Sequence, residues 1–190
     1  MKLFKKLEGE NIYLSPKSAD EDVVEKFTEW LNDFETTDYI GKSASIITLD
    51  DERKYFEKAK DDGYSFFIVR KENDELVGTV SLEQIDHINR RGTLGIFIGD
   101  TGGRNKGYGT EAIGLILEFG FKYLNLNNIN LDVMEFNKRA QTCYKKCGFK
   151  EYGRRRKSEF LCGKYYDRIS MDILAEEFEG NFIVNKNIKW

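Results

Sequence analysis

Between Thr101 and Thr110 the chain reads TGGRNKGYGT, four glycines and two cations within ten residues. The run leads into Ala112, Ile113, Leu115, Ile116, Phe119 and Gly120, whose spacing of three and four predicts a helix. Ahead of it Leu94, Ile96, Phe97 and Ile98 predict a short strand closed by Gly99-Asp100. The first turn of a helix holds amide N–H groups without intrahelical partners, and the helix dipole adds positive potential there. Glycine lets a backbone take positive φ and approach a ligand closely. The chemistry this combination suits is a phosphate cradle, to which Arg104 and Lys106 add charge.

Three phosphate-binding patterns compete for the stretch. A Walker loop requires Gly-Lys-Ser/Thr at its end, and Gly107 is followed by Tyr108-Gly109 instead. A Rossmann fingerprint fits superficially as Gly107-x-Gly109-x-x-Ala112, with Asp132 on a later strand. Eight residues separate Ile98 from Gly107, however, where a Rossmann turn is tight. The third pattern, Arg/Gln-x-x-Gly-x-Gly/Ala, is met by Arg104, Gly107 and Gly109, and it resembles the coenzyme A pyrophosphate loop of the GNAT N-acetyltransferases. A plain glycine-rich turn is the competing reading, and the surrounding chain has to decide.

The rest of the composition excludes several chemistries. Cys143, Cys147 and Cys162 make an odd count, and no His or second Cys pair completes a metal site around the first two. Reduced, partly buried thiols and no metal are expected. The single histidine, His87, would have to carry any Ser-His-Asp or Cys-His triad, and no nucleophile motif accompanies it. No segment approaches the length of a membrane span, and MKLFKKLEGE is not a signal peptide, so a cytoplasmic protein is expected. Neither a membrane nor a nucleic acid is an expected partner. The net charge of −3 is unevenly spread: residues 1–88 hold 12 Lys+Arg against 21 Asp+Glu, and residues 89–190 hold 18 against 12. One half suits a cation and the other an anion.

These groups must be positioned by an α+β domain. Asn11–Leu14 predicts a first strand, and Ser18 or Asp20 caps a helix to about Leu31 with Val23, Val24, Phe27, Trp30 and Leu31 on its apolar face. Asn32-Asp33-Phe34 breaks it, and Thr36 to Thr48 reads as a loop covering a site. A second helix runs from Asp50 to about Lys60, closed by Asp61-Asp62-Gly63. Residues 65–70 and 76–85 form a hairpin, and Asn89-Arg90-Arg91-Gly92 turns into the strand at Leu94. After the central helix come a strand over 129–134, a helix over 137–146, and strands at 149–153 and about 169–174 with basic Arg154 to Lys157 in the connection. Residues 1–177 are expected to be one domain and 178–190 a C-terminal extension. Its Phe182, Ile183, Val184, Ile188 and Trp190 suit packing on the same domain or on a partner, a homodimer among the alternatives.

A second motif decides between the readings. Leu131 to Phe149 carries a strand, then Asn137-x-x-Ala140, then Tyr144-x-x-x-Gly148-Phe149, and it resembles the second GNAT signature. Asn89-Arg90-Arg91 and Gly95-Ile96-Phe97-Ile98-Gly99 are similar to the RimJ/RimL-like branch, which includes spermidine acetyltransferases. The resemblance implies a GNAT fold, a mixed and mostly antiparallel sheet flanked by helices, and acetyl-CoA as cosubstrate. It implies that the backbone of Arg104, Asn105, Lys106, Gly107, Tyr108, Gly109 and Thr110 holds the pyrophosphate. Phe97 and Ile98 would pair with the pantetheine arm, Asn137 and Ala140 would contribute to coenzyme binding, and Tyr144 would protonate the departing thiolate. Many relatives carry Glu where this chain has Thr93, so Glu83 or Glu135 is left to serve as base, and Glu83 is preferred.

The function implied is acetyl transfer from acetyl-CoA to a primary amine by direct attack in a ternary complex. A non-catalytic acyl-CoA-binding module and a dinucleotide-binding oxidoreductase are the alternatives. Asp33, Glu35 and Asp38 follow the first helix, where the resemblance places acceptor-binding elements, and they favour a small cationic amine or a basic peptide N-terminus.

Overall fold

A computed structural model describes residues 1–58 and 64–186. Eight strands form one sheet in the order β1-β2-β3-β4-β5-β6-β8-β7. They are β1 (Leu7–Glu8), β2 (Ile12–Pro16), β3 (Tyr64–Arg70), β4 (Leu76–Asp86), β5 (Arg91–Ile98), β6 (Asn128–Met134), β7 (Lys150–Leu161) and β8 (Lys164–Leu174). Every neighbouring pair is antiparallel except β5 and β6. The helices are α1 (Glu21–Leu31), α2 (Phe34–Thr37), α3 (Leu49–Lys58), α4 (Tyr108–Lys122) and α5 (Lys138–Lys146). The one parallel pair is joined through α4, the long crossover that parallel neighbours require.

The sheet separates two cores. On one face Phe66, Ile68, Val80, Leu82 and Leu94 pack against Ile113, Leu115, Ile116 and Leu117 of α4. On the other, Tyr13, Phe67, Val69 and Leu76 meet Val23, Val24 and Phe27 of α1 and Phe56 of α3. Phe27 lies edge-on to Phe56 at 5.1 Å, and such aromatic pairs contribute about 0.5–1.5 kcal/mol beyond their burial.

α4 is buried continuously from Ala112 to Gly120, which an amphipathic surface helix would not be. The cause lies in the C-terminal segment. Phe182 packs on Gly114, where a Cβ would come within 2.5 Å of its ring, and Phe178 stands against Phe121. Glu118, on α4, is fully buried and accepts the amide N–H groups of Phe182 and Ile183 and the ammonium of Lys186. Burial pushes its carboxyl up, but Lys186, those two amides and Lys122 outweigh this and hold it below the usual range. Of the alternatives for residues 178–186, packing on the same chain is what occurs; Ile188 and Trp190 lie outside the described residues.

Several boundaries differ from the expectation. β1 is too short to show a pattern and exists because it pairs Leu7 with Leu14. The segment after α1 is not all loop: α2 and a 3-10 turn at Asp38–Ile40 occupy its start. α1 begins after Asp20 with no side-chain cap. β5 starts at Arg91, inside the expected turn, because Asp86 pairs with Arg91 across a β4 bulge. Arg154 to Lys157 belong to β7, not to a connection, since β7 and β8 form a long hairpin closed at Cys162-Gly163. The expected end of α3 at Ala59–Gly63 lies outside the described residues.

Candidate active site

The site originates in how β5 and β6 part. They pair only over Arg91↔Asn128, Gly92↔Ile129 and Thr93↔Asn130. Beyond that β5 continues on β4 and β6 continues on β8, so Leu94–Ile98 and Leu131–Met134 face a gap. Each inner edge there carries backbone groups that an extended ligand can pair with as an added strand. At the end of β5 the amides of Gly99 and Asp100 both donate to the Val77 carbonyl. Gly78 is needed beside this crossing, because a Cβ there would stand 1.9 Å from the Phe97 carbonyl oxygen.

A cleft of about 830 Å³ fills the gap. It is walled by Phe97 and Ile98 of β5, Val133 and Met134 of β6, and the start of α4. The α5 side contributes Asn137, Ala140, Cys143 and Tyr144, and Thr36, Tyr39 and Ile40 reach in from the segment after α1. Arg104, Asn105, Gly107, Tyr108, Gly109 and Thr110 also line it. Lys106 does not; it is exposed and outside the wall. Five cations, Arg104, Lys138, Arg139, Lys146 and Arg168, and the carboxylate Asp132 line the cleft, a balance suited to a polyanion. Sequence reasoning missed Lys138, Arg139, Lys146 and Arg168. The first two adjoin Asn137 in the motif and were legible there; Arg168 reaches the cleft only through the pairing of β8 with β6.

The glycine-rich loop reaches α4 through Asn105 at φ 63° and Gly107 at φ 86°. Gly107 is the residue before the helix, and nothing lies within 4 Å of where its Cβ would be. The amides of 108–110 are therefore open at the helix start. Arg104 is already paired, its guanidinium 2.6 Å from Glu35, and its Nε is buried without a partner among the described residues.

Asn137 accepts the Ala140 amide as the N-cap of α5 and donates to the Tyr39 carbonyl at 3.5 Å. Its cap role is thus certain on geometry alone, and the Tyr39 contact ties α5 to the segment after α1. Gln141 donates to the carbonyls of Met134 and Glu135 and shapes the β6–α5 corner. Tyr144 is 8% exposed, stacks edge-on to Phe149 at 5.9 Å, and its hydroxyl has no hydrogen-bond partner among the described residues. Burial, with Cys143 and Cys147 nearby, pushes that hydroxyl well above the usual phenol range, so it stays protonated.

Glu83 is not part of the cleft wall. It lies behind Gly95, on the α1/α3 face, where its carboxylate accepts the Ser81 hydroxyl at 2.7 Å. A Cβ on Gly95 would stand 2.6 Å from the Ser81 hydroxyl and 3.4 Å from that carboxylate, so glycine is what lets Ser81 and Glu83 sit against this strand. Ser65, Ser81 and Gly95 are cross-strand neighbours and make a shallow trough of small residues on this face. Its far end holds Lys17, whose ammonium sits 4.9 Å from the Tyr55 ring centre, and buried Glu52. Burial lowers Lys17 to about 8 despite the pull of Glu83 and Glu52. Burial likewise raises Glu52, against Lys42 and Lys17. Thr93, where a carboxylate was missed, bonds Gln84 and Asn130 and links three strands. Glu135, the other candidate base, is held by the Asp167 amide and Arg154.

The family model for the acetyltransferase (GNAT) domain matches residues 11–150. The chain belongs to the GNAT acetyltransferase family. It is 33% identical over 184 residues to a probable N-acetyltransferase, YjcK, of Bacillus subtilis, spanning 91% of this chain and 99% of that protein. It is 32% identical over 127 residues to the spermidine N(1)-acetyltransferase of Vibrio cholerae, 67% of this chain and 73% of the relative. Among solved structures, the spermidine N-acetyltransferase of V. cholerae in complex with CoA and spermine superposes with a TM-score of 0.78. That likeness is at 24% identity, over 88% of this chain and 97% of the other. This GNAT protein is thus an acetyl-CoA-dependent N-acetyltransferase, which removes the non-catalytic alternative; a largely antiparallel sheet removes the dinucleotide one. Its own residues fit the coenzyme: an open helix start, a glycine at positive φ with free space around it, and cations lining the cleft. Among the described residues no group of three potential metal ligands occurs, and no helix is long and apolar enough to cross a membrane.

Proposed function

We propose that this GNAT protein acetylates a cationic primary amine by direct attack within a ternary complex, with Tyr144 as general acid and Glu83 as general base. The observation that carries the reading is Tyr144, a largely buried side chain in the cleft wall whose hydroxyl is kept protonated and engaged by no other described group. Bound acetyl-CoA supplies the acyl group as a thioester. Amides 108–110 and the lining cations hold its phosphates, and the inner edges of Leu94–Ile98 and Leu131–Met134 align its arm. Tyr144 gives its proton to the departing sulfur, and Glu83, behind Gly95, takes the proton released by the amine. Asn137 contributes by fixing the start of α5, which sets the height of Tyr144 in the cleft.

The acceptor class rests on charge and on the relatives. The carboxylates expected to attract it are engaged: Asp33 caps α2, Glu35 holds Arg104, and Asp38 accepts from Ser43. Glu83 and Glu52, along the trough, are the acids left to receive a cation, and Glu52 Oε1 is buried without a partner among the described residues. Relatives named for spermidine acetylation share a third of their aligned residues with this chain. An amine panel assayed by release of free coenzyme thiol tests the reading. Spermidine and other polyamines are expected to turn over faster than neutral amino sugars. A panel in which only amino sugars react would replace the acceptor class, and loss of no activity in Tyr144→Phe would remove the acid.

A further inference from the structure

Two thiols stand at the cradle and take no part in the acetyl transfer above. Cys143 lines the cleft, its Sγ 3.3 Å from the Thr110 hydroxyl oxygen on the first turn of α4. A Cβ on Gly109 would lie 3.9 Å from the same sulfur. Cys147, one turn further along α5, donates to the Thr110 carbonyl at 3.7 Å. Lys146 and Arg139 stand on the same side of α5 as Cys143 and also line the cleft. A sulfur beside a helix N-terminus, a hydroxyl donor and two cations has the surroundings that favour thiolate over thiol. In agreement, the neighbouring Cys147 thiol, the Thr110 hydroxyl, Lys146 and Arg139 pull the Cys143 thiol below its usual range against the effect of burial, while Cys147 is pushed up.

We propose that Cys143 is a thiol–disulfide exchange site for small anionic disulfides, and that the adduct closes the coenzyme cradle. The Cys143 thiolate attacks one sulfur of the disulfide; a new S–S bond forms, the old one breaks, and the second half leaves as a thiolate that takes a proton from water. The disulfide is the oxidant, so no further electron acceptor is needed. Anionic groups flanking the disulfide are held by the same helix start and cations that suit a phosphate. The adduct then occupies the space over Gly109 and Thr110, through which the amides of the helix start are reached. Because the reaction needs no acetyl transfer, it stands or falls separately from the roles of Tyr144 and Glu83.

The test uses the full chain carrying Cys162→Ser, which removes the exposed thiol at the β7–β8 turn. The chain is treated with dithiodipropionate, an anionic alkyl disulfide, or with cystamine, its cationic counterpart, and adducts are mapped by mass spectrometry. Cys143 is expected to react with the anionic reagent about tenfold faster than with the cationic one, a preference lost in denaturant. Acetyl-CoA is expected to slow the reaction. The purified adduct is expected to lose acetyl-CoA binding by calorimetry and to regain it on reduction, and Cys162→Ser/Cys143→Ser is expected to form no adduct. Equal rates for the two reagents, adduct on Cys147 alone, or an adduct at Cys143 that binds acetyl-CoA normally would each overturn the proposal.

Discussion

The cleft between β5 and β6 and the trough over Ser65, Ser81 and Gly95 meet at one glycine, and they are built from different materials. The cleft is made of backbone: two parted strand edges, a helix start and Gly107 at φ 86°. Side chains only tune it, and one of its cations, Arg104, already faces Glu35. The trough is made of side chains, with Glu83 on Ser81, Lys17 over Tyr55 and Glu52 buried behind them. A backbone site fixes where a common group such as a pyrophosphate must lie. A side-chain site can change its ligand by a single substitution.

The largest effect expected from this division falls on the backbone side. Gly107→Val has room for its side chain but forces a β-branched residue to positive φ, which costs about 1–2 kcal/mol or more. Acetyl-CoA affinity should fall by more than about 10²-fold while the protein remains folded. Gly109→Val, whose Cβ would meet Cys143 at 3.9 Å, should likewise fold and lose affinity. Calorimetry showing normal affinity in either folded variant would break the backbone account. Next comes Tyr144→Phe, for which turnover should drop roughly 10²-fold with acetyl-CoA affinity nearly unchanged; equal turnover would leave water as the acid.

Smaller effects sharpen the side-chain half. Glu83→Gln should lower kcat by about tenfold, since Ser81 still holds the amide and water can accept part of the proton. A larger loss in affinity for acetyl-CoA than in kcat would move Glu83 out of the acceptor half. The smallest expected effect is that of salt. With Asp33, Glu35 and Asp38 engaged, long-range attraction rests on few free carboxylates. Raising ionic strength to physiological levels, where screening acts over about 8 Å, should raise the acceptor KM only about two- to threefold. A steep dependence would mean that Glu35 leaves Arg104 when the acceptor arrives.

How much was legible follows the same line. The glycine turn ahead of α4 could be read because its requirement, glycine before a helix, is local; Gly107, Gly109 and Tyr144 carry motifs with fixed spacing. The order of strands around α4 was readable because apolar periodicity is also local. What could not be read depended on contacts distant in sequence. β1 exists only through its pairing with β2, and Arg168 reaches the cleft only through β8. Arg104 looked like a free phosphate ligand because nothing near it in sequence announces Glu35, 69 residues earlier. The basic run Arg154–Lys157 read as a loop because a solvated strand of a hairpin shows no apolar alternation.

The clasp between the C-terminal segment and the first strand has a consequence in time. The Val184 amide donates to the Glu8 carbonyl, and the Glu8 amide donates to Asn185 across 177 residues of chain. The seam rests on few hydrogen bonds between a two-residue strand and the end of the described chain, so it is expected to be among the first parts to open. While it is open, the two-residue β1 is a bare sheet edge able to accept a strand from another molecule. Once Glu118 has drawn Phe182 and Ile183 onto α4, that edge is covered. The last stretch of the described chain therefore covers the sheet edge at its beginning, and amide exchange at Phe182, Ile183 and Val184 is the clock on which its opening can be read.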